Sequence, residues 1–300
     1  MTHGDAPSPT LEQPRAGGPS SPPRSTLVIT AHAGDFVWRA GGAIALAAAR
    51  GEKATIACLT FGERGESAKA WREGRRLEEI KAIRQGEAER AAATLGAEVR
   101  FFDAGDYPLI ATAELTDQLV AVHRETQPDV VLTHPTEDPY NGDHPAANRM
   151  ALEARILAQA IGYPGDGDII GAPPVFYFEP HQPEMSGFRP DVLLDITEVW
   201  ETKRAAMECL GAQQHLWDYY TDLAVRRGVQ LNRVVQPPHA AGAGPGLAAD
   251  HLDRGRTGQG AGVGPEDDRV LPHARDSAGR LARRFLRVLR VFPCAPLDCR

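Results

Sequence analysis

Several features that mark special classes of protein are missing from this sequence of 300 residues. No apolar run approaches the roughly 20 residues that span a bilayer, and residues 1–24 contain no apolar core of the kind found in secretion signals. The net charge of −7 gives no polybasic signature of nucleic-acid binding. The four cysteines lie at scattered spacings and are most simply read as thiols. We therefore expect a cytoplasmic, reduced protein whose partners include neither nucleic acid nor a membrane.

The middle of the chain has the pattern of one α/β domain. Residues 1–24 are rich in Pro, Ser and Gly, and we expect them to be disordered. From residue 25 to about residue 233, short β-branched runs such as STLVITAH, ATIACLT and PDVVLTH alternate with longer helical stretches. Nearly continuous apolar strands are typical of a sheet that is covered on both faces. The alternation predicts a Rossmann-like α/β domain over residues 25–233, with a mostly parallel sheet and helices on both faces.

The last part of the chain, residues 234–300, has a different composition. It is rich in Gly, Pro and Arg and has little to bury, so we expect it to be largely disordered. Five apolar residues within it fall at helical spacing among arginines, namely Leu281, Phe285, Val288, Leu289 and Phe292. This pattern predicts an amphipathic helix near 278–292, which packs on its own domain, docks on a partner or a membrane, or has no functional role.

Polar clusters follow each of the first four strand candidates. His32 and Asp35 follow the first strand, and the loop from His134 to His144 follows the fourth. The second and third strands are followed by charged residues in TFGERGES and FFDAGDYP. Ligands of an open α/β sheet gather at the carboxyl ends of the strands, near the point where the strand order reverses. We therefore expect these clusters on the same side of the sheet.

Three residues of these clusters have the donor types of a catalytic metal site. Two imidazoles and one carboxylate with an open fourth position are common catalytic zinc ligands, and His32, Asp35 and His144 supply that set. Asp143 and Asp138 would then fix the imidazole tautomers through hydrogen bonds. From spacing alone an alternative stays open, in which Asp35 caps the following helix and His32 is a hydrogen-bonded residue at the strand end.

The sequence around these positions resembles a known family. The segments ITAHAGDF, CLTFGERGES, RQGE and GDH are similar, in this order, to those of the PIG-L/LmbE-like zinc-dependent deacetylases. The resemblance covers about residues 26–233. It implies the fold of that family and one zinc ion bound by His32, Asp35 and His144.

Three positions depart from the pattern of the family. Gly34 stands where the family has the aspartate that activates water, Phe36 where it has a glutamate, and Asn141 where it has a histidine. Glycine cannot accept a proton, and general base catalysis is typically worth about 10²–10⁴-fold in rate. Hydrolysis by the usual route of the family should therefore be lost or very weak, while the metal ligands are retained. We also expect Phe36 to remove a negative charge from the pocket.

A closer resemblance fits this combination. AHAGDFVWRAGGAIAL, FGERGESAKAWR, DPYNGDHP, GAPPVFYFEPHQPE and DVLLDITEVWETK are similar to segments of a hydratase branch of the same fold, the 4-oxalomesaconate hydratases of bacterial gallate degradation. The resemblance implies a lyase that adds water to a carbon–carbon double bond. Its substrate would be a small polycarboxylate with a keto group, converted to 4-carboxy-4-hydroxy-2-oxoadipate.

Hydration requires a proton acceptor for water and a proton donor for carbon. Glu66 is the first candidate, because it matches a family position that points into the metal site. His181 in FEPHQPE is the second, because it leaves a strand end among prolines that fix the loop. The alternatives are that Glu66 only orients an arginine or caps the next helix, and that His181 bonds a backbone carbonyl.

Binding of a polycarboxylate also requires fixed positive charge, and arginine binds carboxylates through paired hydrogen bonds. Arg64 and Arg84 are the best candidates, and Arg39, Tyr140 and Asn141 are further ones. We expect the protein to be a homo-oligomer. Two other functions remain open: an N-acetyl deacetylase in which Glu66 substitutes for the lost base, and a metal-binding protein without catalysis.

Overall fold

Seven strands form one sheet at the centre of the described structure. The computed structural model describes residues 24–190, 192–235 and 286–292. The strands are β1 (Ser25–Thr30), β2 (Lys53–Cys58), β3 (Glu98–Phe101), β4 (Val130–Thr133), β5 (Val175–Phe178), β6 (Val192–Asp195) and β7 (Leu286–Phe292). Their order in the sheet is β3–β2–β1–β4–β5–β7–β6. The strands β1 to β5 are parallel to one another, whereas β7 is antiparallel to both β5 and β6.

Helices cover both faces of the sheet. In the described residues they are α1 (Gly41–Ala49), α2 (Ala68–Arg72), α3 (Leu77–Leu95), α4 (Ala113–Thr126), α5 (Asp143–Gln159), α6 (Trp200–Glu208) and α7 (Leu216–Val235). Because side chains alternate along a strand, Val28 of β1 joins the core cluster with α1, α3, α6 and α7. Leu27 and Ile29 join the cluster with α4 and α5 on the other face. The predicted α/β fold with a mostly parallel sheet is confirmed.

The side of the sheet on which the chain adds its strands changes between β1 and β4. The chain first adds β2 and β3 on one side of β1, and then returns to place β4 on the other side. His32 follows the carboxyl end of β1, and His134 follows that of β4. This reversal opens a crevice between the two strand ends, which is where open α/β sheets bind ligands.

The structure corrects the part of the amphipathic-helix prediction near 278–292 that falls on residues 286–292, while 278–285 lie outside the described residues. Residues 286–292 form β7, which lies between β5 and β6, with Leu289 paired to Phe178 on one side and to Val192 on the other. Without this strand both neighbours would present an open edge. Hydrogen bonding to two edges, together with the β-branched Val288 and Val291, outweighs the local helical spacing. The sheet therefore includes a segment that the composition assigned to the tail.

The remaining predictions about the ends of the chain fall mostly on residues outside the described ranges. These are residues 1–23, expected to be disordered, and 236–285 and 293–300, assigned to the tail. Before the tail, the chain forms the two helices α6 and α7, and α7 reaches Val235. No helix in the described part of the chain is both long enough and apolar enough to cross a membrane.

Candidate active site

The three side chains predicted to bind a metal lie together in the crevice. One ligand atom from each of His32, Asp35 and His144 lies within 4.8 Å of the others, and all three residues are buried. His32 Nδ1 lies 3.2 Å from Asp35 Oδ2, and His144 Nε2 lies 3.5 Å from Asp35 Oδ1. Two imidazoles and one carboxylate in such a group fit a divalent metal ion of the zinc type.

A tight turn after β1 brings His32 and Asp35 together. The backbone N–H of Asp35 donates to the carbonyl of His32, and the backbone N–H of His32 donates to Asp35 Oδ2 at 2.9 Å. Asp35 makes no side-chain capping bond to the π-helical turn Phe36–Ala40 that follows. The alternative in which Asp35 serves as a helix cap is therefore wrong, because its carboxylate turns back towards the crevice.

Two further carboxylates orient the imidazoles. His144 Nδ1 lies 2.7 Å from Asp138 Oδ2, so its Nε2 is left facing Asp35, buried and without a hydrogen-bond partner. His32 Nε2 lies 3.2 Å from Asp143 Oδ2, so its Nδ1 faces Asp35. Both rings thus direct one nitrogen towards the same point, as a metal site requires. The unpartnered Nε2 of His144 is the observation that fits a metal ion best.

The electrostatics of the crevice favour a cation. Burial alone would lower the pKa of His32, but the carboxylates of Glu66, Asp143 and Asp35 raise it well above its usual value. Burial alone would raise the pKa of Asp35, but His144 and His134 lower it well below its usual value. The result is a buried Asp35 carboxylate that stays ionised beside the His32 imidazole, whose protonated form is favoured. A divalent ion would supply that charge and leave the imidazoles neutral.

Gly34 leaves no room for the aspartate of the deacetylases. A Cβ atom at this position would lie 2.5 Å from Gln213 Oε1 and 2.8 Å from Trp38 Nε1. Gln213 is held there by hydrogen bonds from Arg84 Nη2 at 3.0 Å and from Trp38 Nε1 at 3.3 Å. A neutral amide therefore occupies the space next to the metal ligands where the family keeps its base.

Glu66 is the carboxylate that approaches the crevice from β2. Its Oε1 lies 3.6 Å from His32 Nδ1, and its Oε2 accepts a hydrogen bond from Arg84 Nη2 at 2.9 Å. Arg84 is fully buried and also donates to Glu87 Oε2 at 2.7 Å and to the carbonyl of Phe61 at 3.2 Å. Its guanidinium is thus engaged by protein groups and fixes the orientation of Glu66.

A cleft of about 220 Å³ opens over the metal ligands. Asp35, Glu66 and His144 line one end, and His181 lines the wall formed by the loop after β5. His181 Nδ1 lies 3.4 Å from the hydroxyl of Tyr220, and its carbonyl accepts a hydrogen bond from Tyr219. The imidazole is therefore held by α7 rather than by a backbone carbonyl. Burial, and next the charge of Arg39, lower the pKa of His181.

The residues predicted to bind substrate are only partly brought to this cleft. Arg39, Tyr140 and Asn141 line it. Arg64 does not, since its guanidinium donates to the carbonyl of Asp106 at 2.9 Å. Arg84 lies behind Glu66 and is saturated by the contacts described above. Both arginines thus donate to protein carbonyls and carboxylates, which the local sequence did not reveal, and their role in binding substrate stays a prediction.

Other residues of the site have little or no signal in the sequence. His134 stacks on the ring of His144 at 4.2 Å and lies 3.3 Å from Asp35 Oδ2. Burial, and next the charge of His144, lower its pKa to about 3, so it is a neutral supporting ring. The position of His134 directly after β4 could have suggested that it lies beside the metal ligands. The contacts of Gln213 and Tyr220 depend on tertiary structure. Phe36, expected to remove a negative charge from the pocket, is buried in the core.

Known proteins resemble this chain in sequence and in structure. The family model described as GlcNAc-PI de-N-acetylase (PIG-L) matches residues 27–155. A 4-oxalmesaconate hydratase of Pseudomonas putida is 55% identical over 217 residues, which cover 72% of this chain and 84% of the relative. A diacetylchitobiose deacetylase of Thermococcus kodakarensis is 28% identical over 207 residues, which cover 66% of this chain and 73% of the relative.

A solved structure is similar over a larger share of the chain. The crystal structure of the 4-carboxy-2-hydroxymuconate hydratase of P. putida KT2440 aligns with a TM-score of 0.73 at 44% identity, covering 91% of this chain and 98% of that one. The PIG-L match includes both loops that supply the candidate metal ligands. The chain therefore belongs to the PIG-L family, in the branch that contains the 4-oxalmesaconate hydratase of P. putida.

Proposed function

We propose that this protein is a zinc-dependent hydratase that adds water to the carbon–carbon double bond of 4-oxalomesaconate, giving 4-carboxy-4-hydroxy-2-oxoadipate in bacterial gallate degradation. The observation that carries the proposal is the replacement of the deacetylase base by Gly34 and Gln213 beside a complete metal-ligand set. The site keeps the groups that polarise oxygen and loses the group that hydrolyses amides. The 55% identity to a 4-oxalmesaconate hydratase supports the same reaction.

His32, Asp35 and His144 would hold the metal ion. When bound, a divalent ion supplies Lewis acidity that polarises oxygen atoms and stabilises developing negative charge. Asp138 and Asp143 keep the two imidazoles in the tautomers that this requires. The identity of the ion as zinc is part of the proposal, since the same nitrogen and oxygen donors also accept manganese, iron or cobalt.

Glu66 and His181 divide the proton transfers between them. Glu66, oriented by Arg84, accepts a proton from the attacking water. The hydroxyl oxygen bonds to the fully substituted carbon of the double bond, and the electron pair of the double bond moves to the neighbouring CH carbon, next to its carboxylate. His181, held by Tyr220, donates a proton to that neighbouring carbon. One water is consumed, and no other reactant is needed.

A two-substrate assay tests the function. Metal-loaded protein is incubated with 4-oxalomesaconate and, separately, with an N-acetyl amino sugar. We expect loss of the ultraviolet absorbance of the conjugated acid, with a product that has gained one water, and no acetate release from the sugar. Acetate release without hydration would support a deacetylase instead. Inactivity on both substrates, with metal bound, would support a metal-binding protein without catalysis. Cytoplasmic location and a homo-oligomeric state remain predictions.

A further inference from the structure

The metal cleft offers too few free cations for a substrate with three carboxylates. Arg39 is the arginine that lines it; its guanidinium lies 3.3 Å from Asp35 and 3.8 Å from Asp138, but its Nε and Nη1 make no hydrogen bond, so it can bind one carboxylate. Arg84 is used by Glu66 and other protein groups. The metal ion would neutralise one end of the substrate. The opposite end requires a positive group elsewhere.

A second cavity, of about 280 Å³, adjoins the cleft. It lies between α2 and the connection from α6 to α7. Glu66, Gln213 and His215 line both cavities, so the two are neighbours along one groove. A molecule with one end at the metal ligands can therefore extend past Glu66 into the second cavity.

The second cavity carries two unpaired cations. Lys69 and Arg72 line it from α2, and their spacing of three residues puts them on one side of the helix. Within the described residues, neither side chain has an acidic partner within salt-bridge distance. Glu66 is the carboxylate in the lining, and Arg84 neutralises it at 2.9 Å. The lining of the cavity is therefore net positive.

Both walls of this cavity are fixed in place. On one side, Trp71 Nε1 donates to the carbonyl of Glu63 at 2.8 Å, and Ser67 Oγ donates to the carbonyl of Gly62 at 2.9 Å, which anchors α2. On the other side, the backbone N–H of Ala212 donates to a glutamate of α3 at 2.8 Å. A preformed pocket binds a ligand without a large ordering cost.

We propose that Lys69 and Arg72 bind the carboxylate of the substrate that lies farthest from the metal ion, with His215 at the junction of the two cavities. This inference rests on the proposed hydratase function and extends it to substrate recognition. Lys69 and Arg72 select acids long enough to reach from the metal to α2. Short monocarboxylates that occupy only the cleft do not reach Lys69 or Arg72, so these two side chains do not increase their affinity.

Kinetics of the variants Lys69→Gln and Arg72→Gln test the proposal. Loss of one charge-assisted hydrogen bond at a solvent-exposed position predicts a rise of about 10-fold in KM for 4-oxalomesaconate, with kcat changed much less. Arg72→Lys should recover part of the affinity. Arg75→Gln is the matched control, because Arg75 is exposed near the same helix but pairs with Glu73 outside the cavity. An unchanged KM in both Gln variants would overturn the proposal.

Direct binding of tricarballylate, a tricarboxylate without a double bond, separates this inference from the proposed reaction. By calorimetry on metal-loaded protein, we expect the Lys69→Gln, Arg72→Gln double variant to bind it at least about 10-fold more weakly than the wild type and the Arg75→Gln control. Equal affinity, or no binding by the wild type, would contradict the subsite whatever the result of the turnover assay. If the wild type turns over 4-oxalomesaconate but the variants bind tricarballylate as tightly as the wild type, the hydratase function is supported and only the subsite is excluded.

Discussion

Gly34 and Gln213 decide which proton acceptor the site can use. We expect Gly34→Asp to reduce hydration by at least about 100-fold without creating deacetylase activity. The new side chain must displace Gln213, whose Oε1 would lie 2.5 Å from the added Cβ, and its charge adds to a crevice already rich in carboxylates. Gly34→Ala should cause a smaller loss, since it adds volume without charge. Both activities can be measured on one metal-loaded preparation. Recovery of acetate release in the Asp variant would contradict this account.

His181 should give hydration a characteristic pH dependence. As a proton donor it must be protonated, and burial together with Arg39 lowers its pKa below 6.5 in the free protein. The value of kcat/KM, which reports the free enzyme, should therefore fall as pH rises through a pKa below 6.5. A bound polyanion favours the imidazolium, so the corresponding fall in kcat should occur at higher pH. The alkaline limb should be absent in His181→Gln, and its persistence there would exclude this role.

At the level of single residues, the sequence was most informative where function depends on strand ends. His32, Asp35 and His144 could be proposed from their donor types and from their positions after two strands of one sheet. Arg84 was predicted to bind substrate. The sequence did not reveal its buried partners, because Glu66 and Gln213 come from other parts of the chain. No sequence pattern pointed to Gln213, since it reaches the site only through the packing of α6 on α3 and the hydrogen bond from Ala212 to a glutamate of α3.

The contact between α1 and the turn before α6 offers a test of packing at the scale of elements. In Gly42→Ala the new Cβ would lie 2.7 Å from Ile196 Cγ2, a fully buried side chain. Overpacking of about 1–3 kcal/mol should outweigh the gain of about 1 kcal/mol in helix propensity. We therefore expect a lower free energy of unfolding in urea. Gly86→Ala in α3 is the control, since its Cβ would meet only the end of Arg90 at 3.3 Å. That variant should be as stable as the wild type or more so.

Elements with local signals were predictable, and β7 was not. The parallel strands β1 to β5 are short apolar runs between helices, and each is specified by its own sequence. The segment of β7 has helical spacing when read alone, and its strand conformation depends on the two edges that β5 and β6 leave open. Pairing between distant segments can override such a local preference.

In the proposed function, the molecule as a whole combines a metal site typical of the PIG-L family with a different set of proton-transfer groups. The reversal of strand order between β1 and β4 brings the ligands together, and α7 supplies the residues that hold His181. The fold could be predicted from the order of strands and helices, whereas the proposed ligand set depended also on the resemblance to the PIG-L family and stays a prediction. The groove that joins the two cavities could not be predicted, because it arises where α2 meets the connection between α6 and α7.

A zinc titration of metal-free protein, followed by the rate of 4-oxalomesaconate loss, tests the central claim most directly. We predict that activity rises in proportion to added zinc and reaches a plateau near one equivalent per chain, whereas His144→Ala stays inactive over the same range. Activity that is independent of metal content, or a His144→Ala variant as active as the wild type, would contradict the account.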